Sequence, residues 1–240
     1  MTAERIWGIV PAGGSGSRIA DSGIKGEGGI SIDGKLPKQF IRVGGVPILV
    51  KTLKALFNAG VLSGITVPVK EEYIGLAREL IVEFGLTDRN ILFVTGGETR
   101  QASVFNGLLS IEKMGGADIV LIHDAARPII APETVTAAVE EARRFGAAAV
   151  GVGATDSSVL SKDLFIESYV PREKLFSVQT PQVFMYDLIM EGHRAALSDG
   201  ITDATDDAGL VLRMGKKVRI VPGSPENIKV TFRGDLDRIR

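Results

Sequence analysis

The chain has 240 residues, 45% of them hydrophobic, a formal net charge of −1 and no cysteine. That apolar content suffices for a full α/β core, the near-neutral charge leaves no basic stretch able to track a nucleic acid backbone, and the lack of cysteine excludes disulfides, thiolate nucleophiles and cysteine-ligated zinc together. Phosphate binding is therefore expected to be local and aimed at a small molecule, with a cytoplasmic setting the natural expectation.

The first predicted strand is the apolar run from Ile6 to Val10, too short for a signal-peptide core and ended at once by Pro11. It leads into Pro11-Ala12-Gly13-Gly14-Ser15-Gly16-Ser17-Arg18, and then comes Leu36-Pro37-Lys38-Gln39. The glycines let the backbone fold tightly around a polyanion, while Arg18 and Lys38 bring positive charge to the C-terminal end of a strand, where open α/β sheets bind ligands. This reads as a triphosphate cradle. It is not a P-loop, because Gly16 is followed by Ser17-Arg18, and it is not the dinucleotide fingerprint, because Ile19 stands where the third glycine or alanine belongs. From Ile19 to Leu36 the chain is rich in Gly, Ser, Asp and Lys without any period, which predicts an exposed extension of this loop and a candidate lid.

Further along, Ile48, Thr52, Leu53, Leu56 and Phe57 fall on one helix face, and Ile65 to Val69 and Ile91 to Val94 read as strands. Gly96-Gly97-Glu98-Thr99-Arg100 follows the second of these and precedes a helix expected to begin near Ser103, so backbone N–H groups able to bind a phosphate or a small ring converge there. The strand Ile119 to Ile122 runs into His123-Asp124-Ala125-Ala126-Arg127-Pro128. A carboxylate at a strand end beside a phosphate loop suits Mg²⁺, since hard cations prefer carboxylate oxygen. Val135, Ala138, Val139, Ala142 and Phe145 mark another helix, and Ala147 to Val152 another strand. The alternation predicts one α/β domain over 1–240, with a mostly parallel sheet and helices on both faces. No segment approaches the roughly 20 apolar residues of a membrane span.

Thr155 to Val178 departs from this pattern. Leu164, Ile166, Leu175 and Phe176 are apolar positions in a stretch otherwise rich in Ser, Asp and charged residues, which predicts a hairpin projecting from the sheet whose apolar side a partner subunit would cover. Arg172 lies within it, and Gln179-Thr180-Pro181-Gln182 follows. Asn227-Ile228-Lys229-Val230-Thr231 alternates like a strand, placing Asn227, Lys229 and Thr231 on one face with Lys229 aimed at something polar. His123 and His193 stand far apart, and neither a Ser/His/Asp spacing nor a paired-histidine metal motif is present.

In their order, Pro-Ala-Gly-Gly-Ser-Gly-Ser-Arg, Pro-Lys-Gln, Gly-Gly-x-x-Arg-x-x-Ser-Val, His-Asp-Ala-Ala-Arg-Pro, Pro-Arg, Gln-Thr-Pro-Gln, Thr-Asp-Asp-Ala and Asn-Ile-Lys-Val-Thr resemble the 2-C-methyl-D-erythritol 4-phosphate cytidylyltransferases from Val10 to Thr231. The resemblance implies a Rossmann-like nucleotidyltransferase fold, a homodimer joined by the β-arm at 155–178, and transfer of CMP from CTP to methylerythritol phosphate with Mg²⁺, in non-mevalonate isoprenoid biosynthesis. It also implies that Pro11, Ala12, Gly13, Gly14, Ser15, Gly16, Gly97, Arg100, Ser103 and Ala125 surround the nucleotide and that Arg18, Lys38 and Lys229 hold its phosphates. By the same resemblance Asp124 lies beside Mg²⁺ and the sugar phosphate, Arg127 and Thr180 complete the acceptor pocket, and Arg172 reaches across the dimer to the acceptor phosphate. Ser157 stands where the family generally has threonine and would make a second contact from the partner. An acceptor phosphate is already ionised at neutral pH, so the reaction needs no protein base, in keeping with the missing catalytic histidine.

Two other readings stand beside this one. The Ala-Gly-Gly form of the loop is also similar to the ribitol 5-phosphate cytidylyltransferases, whereas His123-Asp124-Ala125-Ala126-Arg127 and Thr205-Asp206-Asp207-Ala208 look like the methylerythritol enzymes. A nucleotide-sensing module without turnover is the alternative of another class. Retention of Arg18, Lys38, Asp124 and Lys229 together speaks against it, because sensing CTP does not require every charge around the reacting phosphorus.

Overall fold

The computed structural model of the chain describes residues 4–14 and 36–240. The strands among them are β1 (Ile6–Ile9), β2 (Arg42–Val43), β3 (Val46–Pro47), β4 (Gly64–Val69), β5 (Ile91–Thr95), β6 (Ile119–Ile122), β7 (Ala147–Gly153), β8 (Ser158–Lys162), β9 (Phe165–Val170), β10 (Phe176–Met185) and β11 (Arg219–Pro222). Seven of these form one sheet in the order β11-β7-β10-β6-β1-β4-β5. All neighbours run parallel except β10, which is antiparallel to both β6 and β7. The two central strands, β1 and β6, are buried at every position because both faces of the sheet are covered, and this is why their sequences are continuous apolar runs rather than alternating ones.

The pleat sends successive side chains of these strands into two cores. Ile6, Val10, Ile119 and Leu121 join the core under helices α1 (Ile48–Phe57), α2 (Ile74–Glu83) and α4 (Pro132–Phe145). Trp7, Ile9, Val120 and Ile122 join the core under α3 (Arg100–Lys113), α5 (Tyr186–Ser198) and α6 (Asp207–Arg213). Helix α4 shows how the sequence dictates this: Pro132 fits the first turn, where no N–H is needed, and Val135, Ala138, Val139 and Ala142 form one buried stripe. Gly146, at φ 86°, ends the helix in a conformation that a side chain would strain. Burying each valine of that stripe is worth roughly 1.5–3 kcal/mol relative to exposure. No helix among the described residues is long and apolar enough to cross a membrane.

Strand β1 has β4 on one side and β6 on the other, so the connections leave it in opposite directions and a crevice opens beyond the C-terminal strand ends. The chain continues the sheet a little further there: Val10 N–H bonds Thr66 O at 2.9 Å, Ala12 N–H bonds Pro68 O at 2.7 Å, and His123 N–H bonds Ile9 O at 2.9 Å. The loops after β1, β5 and β6 thus start from fixed positions around one opening.

The hairpin expected between Thr155 and Val178 is present as β8 and β9, followed by a single turn at Arg172–Lys174. It pairs only with itself, as a separate two-stranded sheet. Its tip turns through Asp163 and Leu164, both at positive φ, and Leu164 is 99% exposed, Phe165 78% and Tyr169 69%. Two expectations fail. Helix α3 begins at Arg100 rather than near Ser103, because the Thr99 side chain accepts the Ala102 N–H and caps the helix earlier. Residues 227–231 are not a strand: Ile228 N–H bonds Glu226 O, Thr231 N–H bonds the Asp235 carboxylate, and only Val230 N–H reaches across, to Ala126 O at 2.8 Å. Asn227 is buried while Lys229 is exposed, so the two do not share a face. The expected lid from Ile19 to Leu36 lies outside the described residues, Leu36 excepted.

Candidate active site

A pocket of about 290 Å³ occupies the crevice. Pro11, Ala12, Gly13, Gly14, Lys38, Gly97, Arg100, Ser103, Asp124, Ala125 and Lys229 all line it, so the loops after β1, β5 and β6 and the segment near the C-terminus meet where the sequence places the nucleotide. Ser15, Gly16 and Arg18 lie outside the described residues. Arg127 and Thr180 sit behind the wall, and Ser157 and Arg172 belong to the arm and do not line the pocket of their own chain. Gln39, Ala126 and Thr231 line it without having been singled out as site residues, together with Glu98 and Thr99.

The glycine turn is held from outside. Gln39, buried in the short turn Lys38–Phe40, donates its amide to Ala12 O and, at 3.3 Å, to Gly14 O. The facing loop locks to itself: Gly97 N–H donates to Ser103 Oγ at 3.1 Å, and Ser103 Oγ–H donates to Thr99 O at 3.0 Å. A Cβ on Gly97 would overlap Ala102, so this loop closes onto its helix only with glycine there. The Gly97 N–H is thus committed within the loop rather than left open for a ligand.

The two lysines come together across the length of the chain. Lys38 Nζ donates to Val230 O at 2.7 Å, which sets its ammonium beside the residue that follows Lys229. Lys229 Nζ in turn contacts Asp124 Oδ2 at 2.8 Å. Asp124 also meets Arg100 Nε at 3.2 Å through Oδ1 and Arg127 Nε at 3.7 Å through Oδ2, the latter an ion pair rather than a hydrogen bond. Burial works against ionising this carboxyl, but the charges of Arg100, Lys229 and Arg127 outweigh it and hold Asp124 far below the usual carboxylate range. It is a permanent anion ringed by cations.

His123 and Thr180 fix that anion. His123 Nε2–H donates to Arg127 O at 2.9 Å, since a carbonyl can only accept, which leaves Nδ1 to accept from Thr180 Oγ1–H at 3.1 Å. Thr180 Oγ1 accepts the Asp124 N–H at 3.1 Å, and Arg127 Nη1 ties the same turn to Asn227 O at 2.6 Å. Thr180 and Arg127 therefore position Asp124 rather than face the cavity. Burial pushes the His123 pKa down from 6.5 to about 4. The unfolded chain then binds a proton below pH 6.5 that the native chain refuses until about pH 4, so this group costs stability progressively as pH falls through that window, on the order of 3 kcal/mol in total. Asp124 and Asp207, with lowered values, lose their contributions only below about pH 4. Urea unfolding of His123→Gln should accordingly show a flatter stability profile between pH 6.5 and 4 than the parent; parallel profiles would refute the assignment.

Comparison with known proteins matches this arrangement to one family. The model of the 2-C-methyl-D-erythritol 4-phosphate cytidylyltransferases matches residues 6–239. The enzyme of that name from Acidobacterium capsulatum is 37% identical over 237 residues, 97% of this chain and 95% of the relative. The one from Desulforamulus reducens is 38% identical over 232 residues, 96% and 92% of the two chains. Among solved structures, the 2-C-methyl-D-erythritol 4-phosphate cytidylyltransferase from Thermus thermophilus superposes with a TM-score of 0.74 at 29% identity, covering 97% of this chain and 96% of that one. The 4-diphosphocytidyl-2C-methyl-D-erythritol synthase from Anaerococcus prevotii shares the fold with a TM-score of 0.81 at 24% identity, over 98% and 93% of the chains.

Proposed function

The chain belongs to the 2-C-methyl-D-erythritol 4-phosphate cytidylyltransferase family, and we propose that the pocket beyond β1 and β6 carries out that family's reaction with Lys38 and Lys229 as the cations on the reacting phosphate. The enzyme is a nucleotidyltransferase that moves the cytidylyl group of CTP to 2-C-methyl-D-erythritol 4-phosphate in isoprenoid biosynthesis. The observation that carries the assignment of roles is the bond from Lys38 Nζ to Val230 O, which joins the phosphate loop to the C-terminal segment and brings both ammonium groups to one opening.

In the reaction an oxygen of the acceptor phosphate forms a bond to the α-phosphorus of CTP while the bond from that phosphorus to the bridging oxygen of the β-phosphate breaks, and its electron pair leaves with pyrophosphate. The nucleophile arrives ionised, so the protein need not remove a proton. The obstacle is the meeting of two anions. Lys38 and Lys229 counter it by offering fixed positive charge where negative charge builds, with Arg18 assigned to the departing phosphates. Ala12, Gly13, Gly97 and Ser103 line the pocket as small residues, which leave room for the flat cytosine ring.

The donor set around Asp124 fits a Mg²⁺ ion carried in by the nucleotide. Among the described residues no group of three or more His, Cys, Asp or Glu is arranged to hold a metal, and Asp124 offers one hard, permanently ionised carboxylate in the pocket. Mg²⁺ ordinarily accepts such a site, completing its shell with water and phosphate oxygen. When bound it would neutralise phosphate charge; Asp124 would hold it, and Lys229 would exchange its contact with Asp124 for one with phosphate.

Leu164, Phe165, Ile166 and Tyr169 leave the arm with an apolar surface that the described residues of its own chain do not cover, which supports a homodimer in which Arg172 and Ser157 serve the partner's site. CTP is a cytoplasmic nucleotide, which supports a cytoplasmic setting. Arg172→Ala should raise the KM for the acceptor with little change in KM for CTP. Mixed with an inactive Lys38→Ala chain under subunit exchange, it should regain part of the parent rate; no recovery despite verified exchange would place Arg172 in its own subunit. Pyrophosphate release measured with CTP and each polyol phosphate tests the whole reading. Release with methylerythritol phosphate and none with ribitol 5-phosphate is expected, whereas the reverse favours the ribitol branch and silence with both favours a sensing module.

A further inference from the structure

The ion pairs on the pocket floor are the near end of a longer buried chain that runs from Lys229 through Asp124, Arg100 and Asp207 to His193. Asp207 is 1% exposed; its Oδ2 accepts from Arg100 Nη1 at 2.7 Å and its Oδ1 accepts from His193 Nε2 at 3.1 Å. Its backbone is equally constrained. Gln182 Oε1, on β10, accepts the N–H groups of Asp207 and Ala208 at 3.1 and 2.9 Å, while Gln182 Nε2 donates to Asp206 Oδ2 at 3.1 Å. Asp206 Oδ1 in turn caps the helix by accepting the Gly209 N–H at 2.9 Å. The Phe105 ring stacks on His193 with centroids 5.8 Å apart. The run Thr205-Asp206-Asp207-Ala208 and the second glutamine of Gln-Thr-Pro-Gln thus converge on one result, a carboxylate aimed at Arg100.

Arg100 has two carboxylates to serve. Its Nε faces Asp124 and its Nη1 faces Asp207, so the guanidinium is stretched between the pocket and the interior. Were Asp207 uncharged, the planar fork would close on Asp124 in the bidentate mode that Arg and carboxylate favour, and would draw that carboxylate away from Lys229. A buried ion chain gives little net stability over a well-packed apolar replacement. What it does give is a guanidinium with one orientation.

We propose that Asp207 is a positioning residue for cytidylyl transfer: it anchors Arg100 so that Asp124 keeps Oδ2 turned to the pocket, where Lys229 meets it before turning to phosphate, and His193 orients Asp207 for this task. The proposal rests on the roles given above to Arg100 and Asp124. On the full chain assayed with CTP and 2-C-methyl-D-erythritol 4-phosphate, Asp207→Asn should lower kcat/KM about tenfold or more in the parent but less than about twofold in an Arg100→Ala background, where the group it acts through is already gone. His193→Gln, whose amide still donates to Asp207, should stay within about twofold of the parent, while His193→Phe should show a loss like that of Asp207→Asn. Urea unfolding of each variant confirms that folded protein is compared, and if Asp207→Asn does not fold, the histidine pair decides. Equal losses from Asp207→Asn in both backgrounds, or indistinguishable rates for the two histidine variants, would overturn the proposal while leaving the site reading intact. An Arg100→Ala chain as active as the parent would overturn both.

Discussion

Lys229→Ala is expected to lower turnover about 100- to 1,000-fold with the fold intact, and Lys38→Ala to do the same, the loss typical of removing one preorganised donor from a developing negative charge. The fold should survive because neither side chain supports the core. The Lys229 side chain is 42% exposed, and among the described residues its ion pair is with the carboxylate that Arg100 and Arg127 also face. Lys38 donates to the carbonyl of Val230, a residue whose N–H is independently bonded to Ala126 O. Because both ammonium groups are assigned to one phosphate, the double variant should cost less than the product of the single losses. Lys229→Arg should restore little, since a wider, planar cation does not fit the place of a compact one. Pyrophosphate release under saturating substrates reads these effects, and near-normal turnover in either purified variant removes that lysine from the mechanism.

The second large effect belongs to Asp124. Asp124→Asn keeps the shape of the side chain but removes the anion on which Arg100, Lys229 and Arg127 converge. Among the described residues Arg100 still has Asp207, whereas the ion pairs of Lys229 and Arg127 are to Asp124 alone. Unpairing a buried charge in this way costs about 3–5 kcal/mol, and Arg127, 12% exposed in its side chain, bears most of it. Turnover should fall on the order of 100-fold or more, because the carboxylate proposed to hold the nucleotide-borne cation goes with it. A urea midpoint within error of the parent would show that the cluster contributes nothing to stability. Full turnover would show that Asp124 holds no metal.

The parts of the fold that the sequence announces are those in which one local pattern has one physical cause. β1, β4, β5, β6 and β7 are short apolar runs, and the structure has each of them within about one residue of its expected span. β10 escapes this logic because Gln179, Thr180 and Gln182 are buried polar residues, satisfied by Ser224 O, by His123 and by α6, which no local pattern reveals. Period-two alternation misleads at 227–231, where Asn227 is buried to bond Gln179 Oε1 and Thr180 O rather than to pair in a ladder. Thr99 carried a readable capping signal for the true start of α3, overshadowed by the glycines before it.

The site divides in the same way. Charged residues and glycines in short motifs identify the lining, since Gly13, Gly97, Lys38, Asp124 and Lys229 all reach the pocket. Residues that act through others do not announce themselves. Gln39 holds the glycine turn with an uncharged amide, while Asp207 on α6 meets Arg100 and His193 on α5 meets Asp207, contacts 107 and 14 positions apart in the chain that no local pattern announces. Arg127 and Thr180 carry the right chemistry for a substrate contact, and among the described residues they also bond Asn227 and His123, which the sequence does not announce.

A crystal structure with CTP and Mg²⁺ bound asks the decisive question, whether residues from opposite ends of the polypeptide grip the same phosphorus. Nζ of residue 38 and Nζ of residue 229 should both lie within hydrogen-bonding distance of the α-phosphate oxygens, with cytosine between the turn at Gly13 and the loop at Gly97. A nucleotide seated there with either ammonium turned away from its phosphates, or seated elsewhere on the chain, would contradict the mechanism.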